Sequence, residues 1–271
     1  MPKETEYIRI ADQLHIHPIP VQAHPVSPNQ IVVPATSTLA HEFTILHSGT
    51  SQAVRHTFVT KVYSILWVQL LVTTLAIGAC HHLKPLREFM VSPLGNTLMV
   101  SSMVLVLFLS CLLSCLQEQL RSCPMSGLYL TLFTGCMAYL MGYLALSVST
   151  TALLLAGLST LGIFSGLSLY AIQTTYDYTD TGGYLLVALL GLLLFGFMAS
   201  FVHAPFLGIV YSSAGSLIFS WYIVYDTQLI VGGDHRKIMF HIDDYVMASV
   251  SLYLDIVNLF LMLLDLISGR N

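Results

Sequence analysis

The sequence predicts an all-α integral membrane protein, a seven-transmembrane-helix bundle with the last helix central. Three observations lead there. Hydrophobic residues make up 55% of the 271 positions and charged residues only 9%, against roughly 25% charged in an ordinary soluble domain. A chain so poor in charge cannot build a water-facing surface around its own core, so lipid must cover most of it. Apolar stretches of about 20 residues, the length a helix needs to cross the hydrocarbon layer, recur along the chain. No segment alternates apolar and polar residues as the wall of a barrel does.

Residues 1–50 read as a flexible Pro/His-rich cytoplasmic tail. They hold six of the ten prolines and five of the eleven histidines, His15, His17, His24, His41 and His47, with too little apolar surface to offset the entropy of ordering. The histidine spacings suit no fixed coordination geometry except His15 with His17. The first 30 residues contain no apolar h-region, so no cleavable signal peptide is expected and the first span acts as the insertion signal.

Residues 51–271 read as the transmembrane domain. Spans are expected near Lys61 to Cys80, Leu94 to Leu116, Ser126 to Ser147, Thr151 to Ile172, Tyr184 to Val202, Phe206 to Val231 and Tyr245 to Ile267. Only a short Ser/Thr turn separates the third from the fourth, so those two should form a tight antiparallel pair.

Orientation follows from lysine and arginine. With the amino terminus in the cytoplasm, the inner segments carry Lys3, Arg9, Arg55, Lys61, Arg121, Arg236 and Lys237, and the outer ones Lys84, Arg87 and Arg270. The net charge of −4 and the absence of a basic run exclude nucleic acid as a partner. The cysteines, Cys80, Cys111, Cys115, Cys123 and Cys136, lie in or beside apolar segments without CxxC spacing and read as small buried hydrophobes.

Ionisable groups inside a span are costly and face a partner or a watery cavity. Three aspartates fall there: Asp226, Asp255 and Asp265. On the seventh span Ser251, Asp255, Asn258 and Asp265 lie four, three and seven residues apart, which keeps them in a narrow arc at about 100° per residue. Such a stripe on a greasy helix should point into the bundle. On the sixth span Ser212, Ser216 and Ser220 form a small-residue row, read as packing. Asp226 lies near the end of the sixth span and Asp255 near the middle of the seventh. Because side chains lean toward the amino end of their own helix, antiparallel neighbours bring the two carboxyls toward each other. Two carboxylates so close in low dielectric cannot both ionise cheaply and titrate as a unit. The expectation is a proton-sharing pair that tethers the last two helices, and whose deprotonation separates them or frees an acidic site for a cation.

Several ordered segments resemble one family. They are Val-Arg-His-Thr-Phe-Val-Thr-Lys-Val-Tyr-Ser-Ile-Leu at 54–66, Leu-Phe-Thr at 132–134, Gln-Thr-Thr-Tyr-Asp-Tyr-Thr at 173–179, Tyr-Asp-Thr-Gln-Leu-Ile-Val-Gly-Gly at 225–233, Asp-Asp-Tyr-Val at 243–246 and Leu-Tyr-Leu-Asp-Ile-Val-Asn-Leu-Phe at 252–260. Together they resemble the Bax inhibitor motif-containing (lifeguard) transmembrane proteins over about residues 50–267. The resemblance implies a seven-helix bundle, a pH-sensitive calcium leak across internal membranes, Golgi or endoplasmic reticulum before plasma membrane, and restraint of apoptosis alongside apoptosis-regulating membrane proteins. It maps the family's two-aspartate pH sensor onto Asp226 and Asp255, with Ser251, Asn258 and Tyr225 as supporting polar groups. No cofactor is implied; calcium is the permeant ion, with Asp226 and Asp255 on its path.

Three departures stand out. Bacterial relatives carry an arginine on the second helix that pairs with the aspartates, whereas Leu94 to Leu116 has no basic residue. The usual Pro-Glu-Glu-Tyr before the last helix reads Ile242-Asp243-Asp244-Tyr245, which keeps acids at a helix amino end where the dipole favours them. Asp265 stands where relatives often have arginine, and is expected to be solvated at the interface. Rival functions fare worse. An intramembrane aspartyl protease would share Tyr225-Asp226, but Leu252-Tyr253-Leu254-Asp255 lacks the glycines such enzymes carry, so no enzymatic activity is expected. A proton-coupled cation transporter would use buried carboxylates equally well, yet no inverted repeat is visible. A scaffold that inhibits cell death by binding partners, without transport, stays open. A seven-helix receptor would need larger loops.

Overall fold

The computed structural model describes residues 35–115, 125–202, 204–233 and 236–269, with side-chain surroundings from Ala53 onward. The prolines of the amino-terminal tail, its histidines and the positions of Lys3, Arg9, Arg121 and Arg270 lie outside the described residues and side chains. All contacts below fall within the unit Gly49–Asn271.

Helix formation here needs little explanation from propensity. In hydrocarbon, every backbone polar group must be satisfied within its own segment, and only a helix does that for a single span. The helices are α1 (Ala35–His82), α2 (Lys84–Val91), α3 (Pro93–Cys115), α4 (Met125–Ala145), α5 (Thr150–Gln173), α6 (Gly182–Phe201), α7 (Pro205–Val231) and α8 (Tyr245–Ser268), with a 3-10 turn at Thr179–Thr181. Among the described residues seven helices are long and apolar enough to cross a membrane, and no strand is present.

The boundaries differ from expectation at two spans. The first runs Ala53–His82 rather than from Lys61, and the fifth Thr179–Phe201 rather than from Tyr184. Hydropathy stops at Arg55, His56 and Lys61, but no proline or glycine breaks the helix there, so the backbone continues past the charges. The first span is 30 residues long, about 45 Å at 1.5 Å per residue, more than the roughly 30 Å of hydrocarbon. Its polar amino end therefore has room to stand clear of the lipid.

Helix α2 was not expected. Its turn into α3 is closed by Ser92, whose Oγ donates to the Phe89 carbonyl at 2.6 Å and accepts from the Gly95 amide at 3.2 Å. Gly95 passes so near the Phe89 and Met90 carbonyls that a Cβ would overlap them. The next helix pair is fastened by tyrosines of α4: Tyr129 donates to the Leu109 carbonyl, Tyr139 to that of Gly95 and Tyr143 to the Asn96 side chain, at 2.8–3.1 Å. The expected tight pair of α4 and α5 does not form: Ser149 caps the turn between them by accepting from the Ala152 amide, but α4 packs chiefly on α3 and α5 on α7 and α8, because a short connection brings two helix ends together without deciding which faces they bury.

Helix α8 packs against α7, α5 and α4, and reaches α1 through Tyr253, whose hydroxyl meets Thr73 Oγ1 at 2.8 Å. Around it gather the largest fully buried side chains, Tyr253, Phe133, Ile223, Leu252 and Leu259 among them. The Phe133 ring packs edge-on to Tyr253 at 6.3 Å between centroids, and Gln69 on α1 donates to Thr134 on α4 at 3.2 Å. Polar groups thus cross the core between α1, α4 and α8, where such bonds hold helices together without a hydrophobic driving force.

Candidate functional site: an acidic pair between the last two helices

Asp226 lies one and a half turns before the end of α7, and Asp255 about three turns into α8. The two helices run antiparallel and share an extensive seam. Both aspartates are buried, at 5% and 7% exposure, and their carboxyls meet side chain to side chain. The second oxygen of Asp255, Oδ2, is buried without a hydrogen-bond partner. Tyr222, one turn before Asp226 on the same face of α7, faces both carboxyls.

The supporting residues fall less centrally. Tyr225 is half-buried and sends its hydroxyl against Gly182 at the start of α6, where a Cβ would lie 2.5 Å from it. Asn258 Nδ2 donates to the Leu254 carbonyl of its own helix at 2.8 Å, and Ser251 is half-buried. Asp265, expected to be merely solvated, accepts a hydrogen bond from Ser212 Oγ. That bond also corrects the reading of Ser212 as packing alone: the serine row on α7 supplies a donor to the acid of α8.

The end of the bundle nearest Asp226 is tied by two arginines acting on backbone carbonyls. A helix leaves its last four carbonyls without partners. At the end of α7, Arg55 from α1 answers this need, donating to the carbonyls of Leu229 at 2.5 Å and Val231 at 3.2 Å, and to Phe240 in the following loop at 2.7 Å. Its guanidinium stacks on Phe58 at 4.9 Å. The chain leaves α7 through Gly232 and Gly233, with φ of 63° and 122°, values that favour glycine. Lys61, two turns along α1 from Arg55, holds its ammonium 3.2 Å from the ring centre of Tyr245 at the start of α8, and Tyr245 donates to Ser126 on α4.

At the end of α5, Arg236 plays the same part, bonding the carbonyls of Thr174 at 2.7 Å, Ala171 at 3.2 Å and Tyr176. Gln228 joins it, accepting from the Tyr178 amide at 2.8 Å and donating to the Tyr176 carbonyl at 3.0 Å. Asp177 accepts from Thr179 and from the Lys237 amide at 3.0 Å, and Asp180 pairs with the Lys237 ammonium. Burial works against the charge of Asp177, but the Thr179 and Lys237 bonds and the Arg236 charge outweigh it and hold the carboxyl below its usual range. The segment 173–179, conspicuous in sequence, is therefore the strap that docks the α5–α6 connection onto the α7–α8 connection.

Among the described residues, no three His, Cys, Asp or Glu side chains converge as metal ligands would. Calcium held in place takes about six to eight oxygens, so the two carboxyls alone do not make a calcium cage. Sequence reasoning missed Tyr222, although its position four residues before Asp226 was a usable signal.

A bundle of seven apolar helices with a pair of carboxylic acids shut between the last two defines a multi-pass membrane protein with a titratable interior. Comparison with known proteins gives the class a lineage. A family model described as "Inhibitor of apoptosis-promoting Bax1" matches residues 55–271. Protein lifeguard 3 of Homo sapiens is 31% identical over 222 residues, covering 80% of this chain and 70% of its own length. Protein lifeguard 3 of Mus musculus is 29% identical, over 80% and 71%. Bax inhibitor 1 of Schizosaccharomyces pombe is 31% identical over 218 residues, covering 80% and 78%. The chain belongs to the Bax inhibitor/lifeguard family.

Proposed function

We propose that this chain is a pH-sensitive calcium-leak channel of an internal membrane, Golgi or endoplasmic reticulum, which regulates calcium homeostasis, restrains apoptosis and performs no enzymatic step. Its amino terminus faces the cytoplasm and α8 forms the centre of the bundle. The observation that carries the reading is the meeting of Asp226 and Asp255 across the α7–α8 seam. With one proton between them the carboxyls bond to each other and tie the helices. With none, two unit charges about 4 Å apart repel by about 4 kcal/mol at an effective dielectric near 20, a coupling large enough to shift a two-state equilibrium by about a thousandfold. Loss of the proton therefore loosens the seam and offers two carboxylates to a passing cation. The family's description, Inhibitor of apoptosis-promoting Bax1, and the relative named Bax inhibitor 1 support the cellular side of the proposal.

The test is calcium flux into dye-loaded liposomes holding the purified full-length protein, scanned from pH 5 to 8 beside Asp226→Asn and Asp255→Asn. Flux in the parent should rise with pH and lose that dependence in both variants. A flux indifferent to pH and to both substitutions would overturn the gate and favour the scaffold that acts through partners.

A further inference from the structure

Hydroxyls on membrane helices have a default partner, the carbonyl one turn back on the same helix. This chain follows the default widely: Ser64, Thr73, Thr131 and Thr160 each donate to the carbonyl four residues earlier at 2.7–2.8 Å. Some find a side chain instead, as Ser212 finds Asp265, but two buried ones do neither. Ser168 on α5 and Thr227 on α7 are buried, at 8% and 0% exposure, and neither oxygen makes a hydrogen bond of good geometry to its own helix or to anything else. Both stand within reach of one group, the hydroxyl of Tyr63 on α1, whose oxygen is likewise buried, yet none of the three meets another with the distance and angle of a hydrogen bond.

Three hydroxyls from three helices, side by side and unbonded, would each forfeit about 1–3 kcal/mol if the space they face stayed dry. Each can donate once and accept twice. The group that satisfies all three at once is small, uncharged, and both donor and acceptor. A buried water makes about three such bonds. A dehydrated calcium ion fits poorly, since three neutral oxygens fall short of its coordination and of its charge. Replacing their own-helix bonds by a shared one also explains why Ser168 and Thr227 forgo carbonyls within reach.

We propose that Tyr63, Ser168 and Thr227 form a buried water-binding site that joins α1, α5 and α7 at the turn carrying Asp226. The site lies about one turn in from the ends of α5 and α7, behind the Arg55 and Arg236 straps. It stands independently of the calcium reading.

Radiolytic hydroxyl-radical footprinting of the full-length protein in lipid nanodiscs tests it, because radicals formed in place from a bound water add to the modification of the ring beside it, Tyr63 being half-buried with only its hydroxyl fully shielded. Tyr253, fully buried and bonded directly to Thr73, is the dry reference. Tyr63 should be modified several-fold faster than Tyr253, and Ser168→Ala and Thr227→Val should each bring it down toward the Tyr253 rate. Equal rates at Tyr63 and Tyr253 in the parent, or an unchanged Tyr63 rate in both variants, would overturn the site. Suppression of Tyr63 labelling by millimolar calcium or sodium chloride would overturn it in favour of a cation. Should Thr227→Val fail to fold, Ser168→Ala carries the comparison, with Thr227→Ser, which keeps the hydroxyl, expected to label like the parent.

Discussion

Replacing Arg55 by alanine tests the most economical piece of construction in the molecule. One guanidinium donates to three backbone carbonyls, those of Leu229, Val231 and Phe240, and stacks on Phe58. A hydrogen bond from a charged donor contributes about 1.5–3 kcal/mol net. Arg55 is only half-buried, however, and water can reach some of the carbonyls it would abandon, which brings each bond to about 1 kcal/mol. Adding about 0.5 kcal/mol for the cation–ring contact gives a loss near 3.5 kcal/mol, some two to three decades in the unfolding equilibrium. Arg55→Lys should recover less than half, since an ammonium is a compact point donor and cannot span three acceptors with the fixed fork of a guanidinium. Reversible unfolding in mixed micelles, followed by tryptophan fluorescence at Trp67 and Trp221, measures both. An alanine variant within 0.5 kcal/mol of the parent, or a lysine variant equal to it, would refute the assignment of Arg55 as the cap of α7.

Gly232→Ala should destabilise by about 1–3 kcal/mol, the cost of a side chain at a φ that L residues avoid. The added Cβ would also sit 2.9 Å from the Arg55 guanidinium, so the same unfolding measurement in an Arg55→Ala background should show a smaller penalty. Tyr253→Phe removes a buried bond to Thr73 and should cost about 0.6–1 kcal/mol, with Thr73→Val and the double variant closing a cycle that reads their coupling. Asp177 has a folded-state affinity for protons below that of a free carboxyl, so its contribution is complete above about pH 4 and is lost as pH falls below that. Asp177→Asn should therefore shift the melting temperature equally at pH 5 and pH 8, with the difference shrinking only below pH 4. A shift that changed between pH 5 and 8 would refute this placement of the Asp177 titration below the range proposed for the Asp226–Asp255 pair.

What could be read from sequence depended on how far each signal travels along the chain. The seven spans were legible because twenty apolar residues have only one use, and the aspartates because a charge in such a run needs a reason. Their meeting followed from antiparallel neighbours and the lean of helical side chains. Arg55 and Lys61 were read only as topology-setting charges, since their partners, Leu229 and Tyr245, lie far along the chain and backbone carbonyls leave no mark in a sequence. The Ser212–Asp265 bond escaped for the same reason. Helix α2 and its close turn at Gly95 were hidden because averaging hydropathy over a span smooths away eight amphipathic residues. The segment 173–179 was conspicuous, yet its task became visible only once Arg236 and Gln228 were seen gripping its carbonyls.

The connection between α7 and α8 is where an experimenter would be tempted to place a fluorescent reporter, since it is short, polar and close to the acidic pair. Its backbone from Lys237 to Phe240 is already spoken for. The Phe240 amide reaches back to the Leu229 carbonyl at 3.0 Å, its carbonyl receives Arg55, and Lys237 and Ile238 donate to Asp177 and Thr179. Insertions are tolerated where few such bonds cross, so a reporter between Gly232 and Asp244 would unfasten two helix ends at once and report on a different protein.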